Sequence, residues 1–230
     1  MFKRLITLFK LGRKLAKSDA ITIVSKFNKP PLLVTVIFKL LSFSFTKKDM
    51  SYDNLSEGEK LSNSLASMGT TFIKLGQFLA TRPDIIGDGL SKELESLQDK
   101  LPRFSQSKAK EMIRNDLGDE IYNSIINISE PVAAASIAQV HKAQIDDNGV
   151  IKDVAIKILR PDIKKIFNEE VDALMLFAFI IESLIKKTKR LKLVEVVFLL
   201  KEITSLEMDL RFEAAAANEY AENTKNDVGF

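Results

Sequence analysis

The sequence predicts an α+β fold: helices first, then a small antiparallel sheet, then helices again. Three observations predict it. Leu61, Leu65, Met68, Phe72, Leu75 and Leu79 recur at three- and four-residue spacing, the period of one helix face. Between positions 127 and 159 the period shortens to strand-like runs around Asp147-Asn148-Gly149, whose Asn-Gly pair suits the positive φ angles of a tight hairpin. Past Pro161 the helical period returns, with Leu191, Val194, Val197, Leu200, Ile203, Leu206 and Leu210 as its last apolar stripe.

Each element has its own signals. Residues 1–26 read as a basic amphipathic helix that Pro30-Pro31 separates from an apolar stretch at 31–45. A polar connector fills 44–55. Ser56 and Glu59 form a capping box that opens a helical pattern of about 25 residues, closed by Arg82-Pro83-Asp84 because the residue before proline disfavours α geometry. Short helices are expected at 88–98, 106–116 and 119–126, the second capped by Ser105. Strands are expected at 128–132, 137–145 and 150–159, with Arg160-Pro161 ending the last. Helices at 162–187 and 192–222 complete the chain. The organisation is thus a basic amphipathic segment (1–50), a helical extension (51–126) and a sheet-bearing unit (127–230).

Composition narrows the function classes. With 230 residues, 46% of them hydrophobic, the chain can bury one or two ordinary cores. It has no cysteine, which excludes disulfides and thiolate metal sites and fits a reducing compartment. A single histidine excludes a His-rich metal centre, and no metal ligand set is expected. The net charge of +3 conceals an asymmetry: residues 1–50 hold eleven Lys/Arg against Asp19 and Asp49, so the remainder is acidic. Leu5, Ile6, Leu8, Phe9, Leu11 and Leu15 interleave those cations. An apolar stripe suits an anionic membrane surface better than a nucleic acid, which is not expected as a partner. Residues 31–45 and 173–181 are apolar but short of a span, so each reads as an interfacial or buried helix.

Four groups of residues could carry chemistry. Lys157 lies in the strand VAIKILRPDI, where alternation sets Ala155, Lys157 and Leu159 on one side and Val154, Ile156 and Ile158 on the other. A strand lysine either points to solvent as an edge device or meets an anion that offsets its desolvation. Ala133, Ala134, Ala135 and Ser136 make a small-residue turn that lets backbone approach a phosphate, to which Ser136 could add a hydroxyl. Small residues also simply pack turns. Glu207, Asp209 and Glu213 fall on what reads as one helix, with Asp209 and Glu213 as i,i+4 neighbours, and the plain reading is a solvated acidic face. Lys74 and Gln77 share a helix face beside Gly76, which would admit another backbone; the plain alternative is the polar side of that helix. His141 reads as a packed strand residue with no partner for acid–base work.

The segments TTFIKLGQFLATRPD, AAASIAQVH and VAIKILRPDI together strongly resemble the UbiB family of atypical kinase-like ATPases of ubiquinone biosynthesis, from about residue 50 onward. The resemblance implies a helical N-terminal extension in front of the small lobe of a protein-kinase-like fold, with the large lobe absent. It implies that the alanine-rich turn replaces a glycine-rich phosphate loop, and that Lys157 meets ATP phosphates and pairs with Glu213. Glu207 and Asp209 correspond to the family's Glu-x-Asp motif, and Lys74, Gly76 and Gln77 to its Lys-x-Gly-Gln motif over the nucleotide. Ala216 stands where the family usually has asparagine.

ATP or ADP with Mg2+ is the implied cofactor. Anionic lipid, quinone intermediates, other ubiquinone-biosynthesis proteins and a separately encoded large lobe are the implied partners. The expected place is the cytoplasmic face of a membrane, the inner membrane if bacterial. No catalytic loop or metal-binding aspartate of the large lobe is expected in this stretch, so the chain alone should be inactive. The alternative from another class is a non-catalytic membrane- or lipid-binding accessory or scaffold.

Overall fold

The computed structural model describes residues 6, 7, 9, 10, 56–95, 97, 101–184 and 186–227. Most of the basic segment at 1–50, the apolar stretch at 31–45 and the connector at 44–55 lie outside the described residues. The described elements are α1 (Glu57–Met68), α2 (Thr70–Ala80), α3 (Pro83–Ile86), α4 (Asp88–Leu94), α5 (Gln106–Ser124), β1 (Ile125–Ala134), β2 (Ala138–Asp147), β3 (Val150–Leu159), α6 (Ile163–Leu184), a 3-10 turn (Lys186–Leu191), α7 (Leu193–Glu207) and α8 (Leu210–Thr224). They form two compact units, one of Met1–Gln98 with Lys164–Glu202, the other of Asp99–Ile163 with Ile203–Phe230. The division does not follow the expected boundary at 126/127, because α5 packs on the sheet whereas most of α6 and α7 belongs to the helical unit.

In the helical unit the capping box is formed: Glu59 N–H donates to Ser56 Oγ at 3.1 Å, and Ser56 N–H to the Glu59 carboxylate at 2.7 Å. The single helix expected after Ser56 is in fact two. Gly69, at φ 108°, breaks the chain between α1 and α2, a conformation that apolar periodicity does not register. Leu61, Leu65, Met68, Phe72, Ile73, Leu94 and Leu97 are buried here, and α1, α2 and α4 pack on one another. Later in the chain α6 and α7 form a hairpin. Val194 N–H donates to the Glu182 carboxylate at 3.1 Å, and the Lys201 ammonium to Asp172 at 3.3 Å. Phe167, Val171, Val196, Val197 and Leu200 are among its buried residues.

The sheet unit is a three-stranded antiparallel meander in the order β1-β2-β3. Asn148 and Gly149, at φ 55° and 85°, make the expected hairpin turn. Gln139, His141, Ala143 and Ile158 are buried on one sheet face. Against it α5 supplies Ala109 and Ile113, flanked by Phe104, Met112, Tyr122, Ile125, Ile128 and Ile156. Gly118, at φ 82°, interrupts α5 near the gap between the two short helices expected there. The polar pair in this core is internally satisfied. His141 Nδ1 donates to the Ser129 carbonyl at 2.8 Å and Nε2 accepts from Gln139 at 2.9 Å, while Gln139 also bonds the backbone of Phe104. His141 is fully buried and structural.

One long helix over 192–222 is not observed either. The chain breaks after Glu207, and Asp209 caps α8 by accepting from Arg211 N–H at 3.2 Å. A short acidic side chain bonds its own neighbouring backbone more readily than it sits inside a helix.

Candidate functional site

The site is built on the open face of the sheet. Antiparallel register sets Ala133 opposite Val140 and Val140 opposite Lys157, so the three stand in one row across the strands. Two steps along the ladder, Lys142 opposite Ala155 shares that side. Directly opposite residues share a face, so small side chains (Ala133, Val140, Ala155) and two cations (Lys142, Lys157) line the side away from α5. Val140 and Lys142 escape notice in the sequence because their place depends on pairing between strands, whereas alternation alone already set Ala155 on the Lys157 side.

Lys157 Nζ lies 2.6 Å from Glu213 Oε2, a contact made across 56 positions of sequence. Glu213 reaches it from the first turn of α8, where a carboxylate is also favoured by the helix dipole. The two side chains are 37% and 60% exposed, and Lys157 is on an outer strand of the described sheet. Both alternatives for a strand lysine are thus partly met: Lys157 is on an outer strand and partly exposed, and it is paired with an anion. An ion pair this open contributes at most about 1 kcal/mol to stability. What it does is fix the direction of the ammonium, leaving it accessible to a second anion.

The alanine-rich stretch is only partly a turn. Ala133 and Ala134 complete β1, and the turn proper runs through Ala135, Ser136 and Ile137, closed by Ala135 N–H to the Ala138 carbonyl at 2.8 Å. Ser136 is fully buried, so its hydroxyl does not line the open face as expected. Arg160, the residue that follows β3, anchors this turn. Its guanidinium donates to the Ala135 carbonyl from Nε at 3.0 Å and Nη2 at 2.8 Å, to Pro102 at 2.8 Å and to Leu101 at 3.3 Å. Its backbone N–H bonds the Ile137 carbonyl at 2.8 Å. Burial pulls the Arg160 pKa down from its ordinary value, yet a guanidinium keeps its charge at any physiological pH. Sequence reasoning assigned Arg160 only the end of a strand; its fork becomes visible when three distant carbonyls converge on it.

Glu207 and Asp209 sit on either side of the break between α7 and α8 and do not share a helix with each other. Glu207 is exposed. Asp209 holds Arg211 by two bonds of 2.8 and 2.5 Å, which raise the arginine's pKa. On the helical unit, Lys74 and Gln77 are half-buried on α2. Gly76 is buried, and a Cβ there would stand 2.9 Å from Leu65 Cδ1 and 3.2 Å from Leu97 Cδ1. Its closeness serves side chains rather than the backbone approach expected. Arg82 and Asp84, which end that motif, bond twice at 2.8 and 2.7 Å, and this lowers the Asp84 pKa while raising that of Arg82.

Among the described residues no cluster of three His, Cys, Asp or Glu could hold a metal ion. Glu213 and Asp209 are both engaged with cations. What the face offers chemically is an oriented, partly exposed ammonium at Lys157.

The family profile of the ABC1 atypical kinase-like domain matches residues 96–230. Curated relatives include proteins named probable protein kinase UbiB. That of Marinobacter nauticus is 36% identical over 173 residues, covering 75% of this chain and 31% of the relative. That of Tolumonas auensis is 36% identical over 176 residues, 76% and 32% respectively. That of Shewanella pealeana is 34% identical over 189 residues, 82% and 34%. The chain spans about a third of the length of these relatives. With its mixed helices and three-stranded sheet, consistent with a kinase-like small lobe, the chain belongs to the UbiB family of ABC1 atypical kinase-like proteins.

Proposed function

We propose that this chain is the nucleotide-binding portion of an atypical kinase-like ATPase that supports ubiquinone biosynthesis. The observation that carries the proposal is the 2.6 Å contact between Lys157 and Glu213. A carboxylate that holds a lysine over a platform of small residues prepares it for a phosphate, since a flexible four-carbon stem otherwise wanders. Adenine nucleotide would lay its base on the Ala133, Val140 and Ala155 surface and its phosphates toward Lys157, beneath the turn that Arg160 stiffens. Bound nucleotide would bring Mg2+ with it, and among the described residues no cluster of three His, Cys, Asp or Glu makes an ion site of its own. The reading is of a binding portion, with no turnover expected of it.

Titration calorimetry of the purified chain with ADP and ATP, with and without Mg2+, tests the binding. Heat that saturates for the unaltered chain and vanishes for Lys157→Ala supports the proposal. Equal binding by both overturns it. Phosphate release with Mg-ATP is the companion assay, and a rate that Lys157→Ala abolishes would show a complete catalytic site in place of a binding portion.

A further inference from the structure

The tip of the α6–α7 hairpin carries a surface that nucleotide binding leaves unused. Lys186, Lys187, Lys189, Arg190 and Lys192 fall within seven consecutive residues that contain no acid. Lys189, Arg190 and Lys192 are exposed. The last two turns of α6, which lead into this run, expose Phe179 and Leu184 to 61% and 64%. The facing acids are already engaged: Glu195 holds Lys192 at 3.0 Å, and Glu182 accepts from Val194 N–H. The tip is also built rather than loose, since the Thr188 hydroxyl donates to the Ile181 carbonyl at 3.2 Å and Lys201 ties α7 to Asp172 on α6.

Two features of this tip must be satisfied together. Exposed Phe179 and Leu184 gain nothing from water, and a nucleic acid offers base stacking to Phe179 alone, with no apolar surface for the aliphatic Leu184 to enter. The cations gain nothing from an apolar protein groove. An anionic bilayer satisfies both, because headgroups meet the lysines and arginine while the apolar side chains reach the acyl boundary. Among the described residues no helix is long and apolar enough to cross a membrane, so α6 contributes an interfacial contact and not a span. We propose that the hairpin tip formed by Phe179, Leu184, Lys189 and Arg190 docks on an anionic lipid surface. This contact is separate from any made by residues 1–50, and it does not depend on nucleotide binding.

The chain has no cysteine, so Leu184→Cys gives a unique attachment point for a polarity-sensitive fluorophore. Added to the full-length labelled chain, phosphatidylglycerol-containing vesicles are expected to shift emission to the blue, and pure phosphatidylcholine vesicles to leave it unchanged. The same label at Val150→Cys, on the turn between β2 and β3, should not shift. Adding Lys189→Gln and Arg190→Gln should raise the lipid concentration for half the shift about 30-fold, at about fivefold per cation. Co-sedimentation with vesicles while the label at 184 stays in water would place the contact elsewhere and overturn the proposal. So would a half-shift unmoved by the two substitutions, a failure to bind anionic vesicles at all, or a blue shift produced by RNA and not by vesicles.

Discussion

Replacing Lys157 with methionine keeps the reach and apolar bulk of the stem and removes the ammonium. The pair it breaks is 37% and 60% exposed, which bounds the loss of stability at about 1 kcal/mol. For a chain of this size that is a fall in Tm of about 2–4 °C. The loss in nucleotide affinity should be much larger. A charge-assisted bond from Lys157 to phosphate contributes about 1.5–3 kcal/mol, so ADP should bind about 10- to 150-fold more weakly. Glu213→Gln should cost less, because the ammonium remains but its direction is freer. If Glu213 acts through Lys157, the double variant binds ADP no worse than Lys157→Met alone, and the two effects are non-additive. Calorimetric titration with ADP and scanning calorimetry of the four proteins complete the cycle. An unchanged ADP affinity in Lys157→Met would refute the assignment. A Tm lowered by ten degrees or more would refute it differently, by showing that the ion pair holds the fold.

Three further outcomes follow from the packing and the electrostatics. Arg160→Ala leaves the carbonyls of Ala135, Pro102 and Leu101 without this donor and should cost about 1–3 kcal/mol, read as a Tm lowered by several degrees; Arg160→Lys should recover only part, since an ammonium lacks the planar fork. Gly69→Ala should cost about 1–3 kcal/mol from backbone strain alone, as φ is 108° and nothing lies within 4 Å of the new Cβ, whereas helical Gly76→Ala should be milder because its crowding by Leu65 Cδ1 is offset by about 1 kcal/mol of helix propensity; denaturant titration separates the two. Asp84 has a folded pKa held below the ordinary carboxylate value by Arg82, so its contribution is present at neutral pH and disappears as pH falls through that lowered value. Arg82→Gln should therefore flatten the decline of Tm between neutral pH and about pH 3 relative to the unaltered chain.

Local chemistry made much of the molecule legible. The Ser56–Glu59 box, the Ser105 cap and the Asn148-Gly149 turn each depend on residues a few positions apart, and all are formed. The same short reach explains two misplaced boundaries. Leu65, Met68 and Phe72 keep helical spacing across Gly69, and Ile203, Leu206 and Leu210 keep it across Asp209, so an apolar stripe hides a break that a positive φ or a cap produces. Of the candidate site, the residue types were visible but not their surroundings. Ser136 looked like a phosphate contact and is buried. Gly76 looked like a backbone approach and instead makes room for Leu65 and Leu97.

By itself the sequence determined the α+β order and the strand on which Lys157 sits, because period and turn propensity are properties of neighbours, while the pairing of Lys157 with Glu213 was implied by the family resemblance. Only the tertiary structure decided that the Lys157–Glu213 pair stays partly open to solvent, that Arg160 gathers carbonyls from two distant segments, and that Ala133, Val140 and Lys157 share one row of the sheet. Those facts depend on strand register and on where a helix restarts, both fixed by burial of the α5 face against the sheet and by hydrogen bonds between residues far apart in the chain.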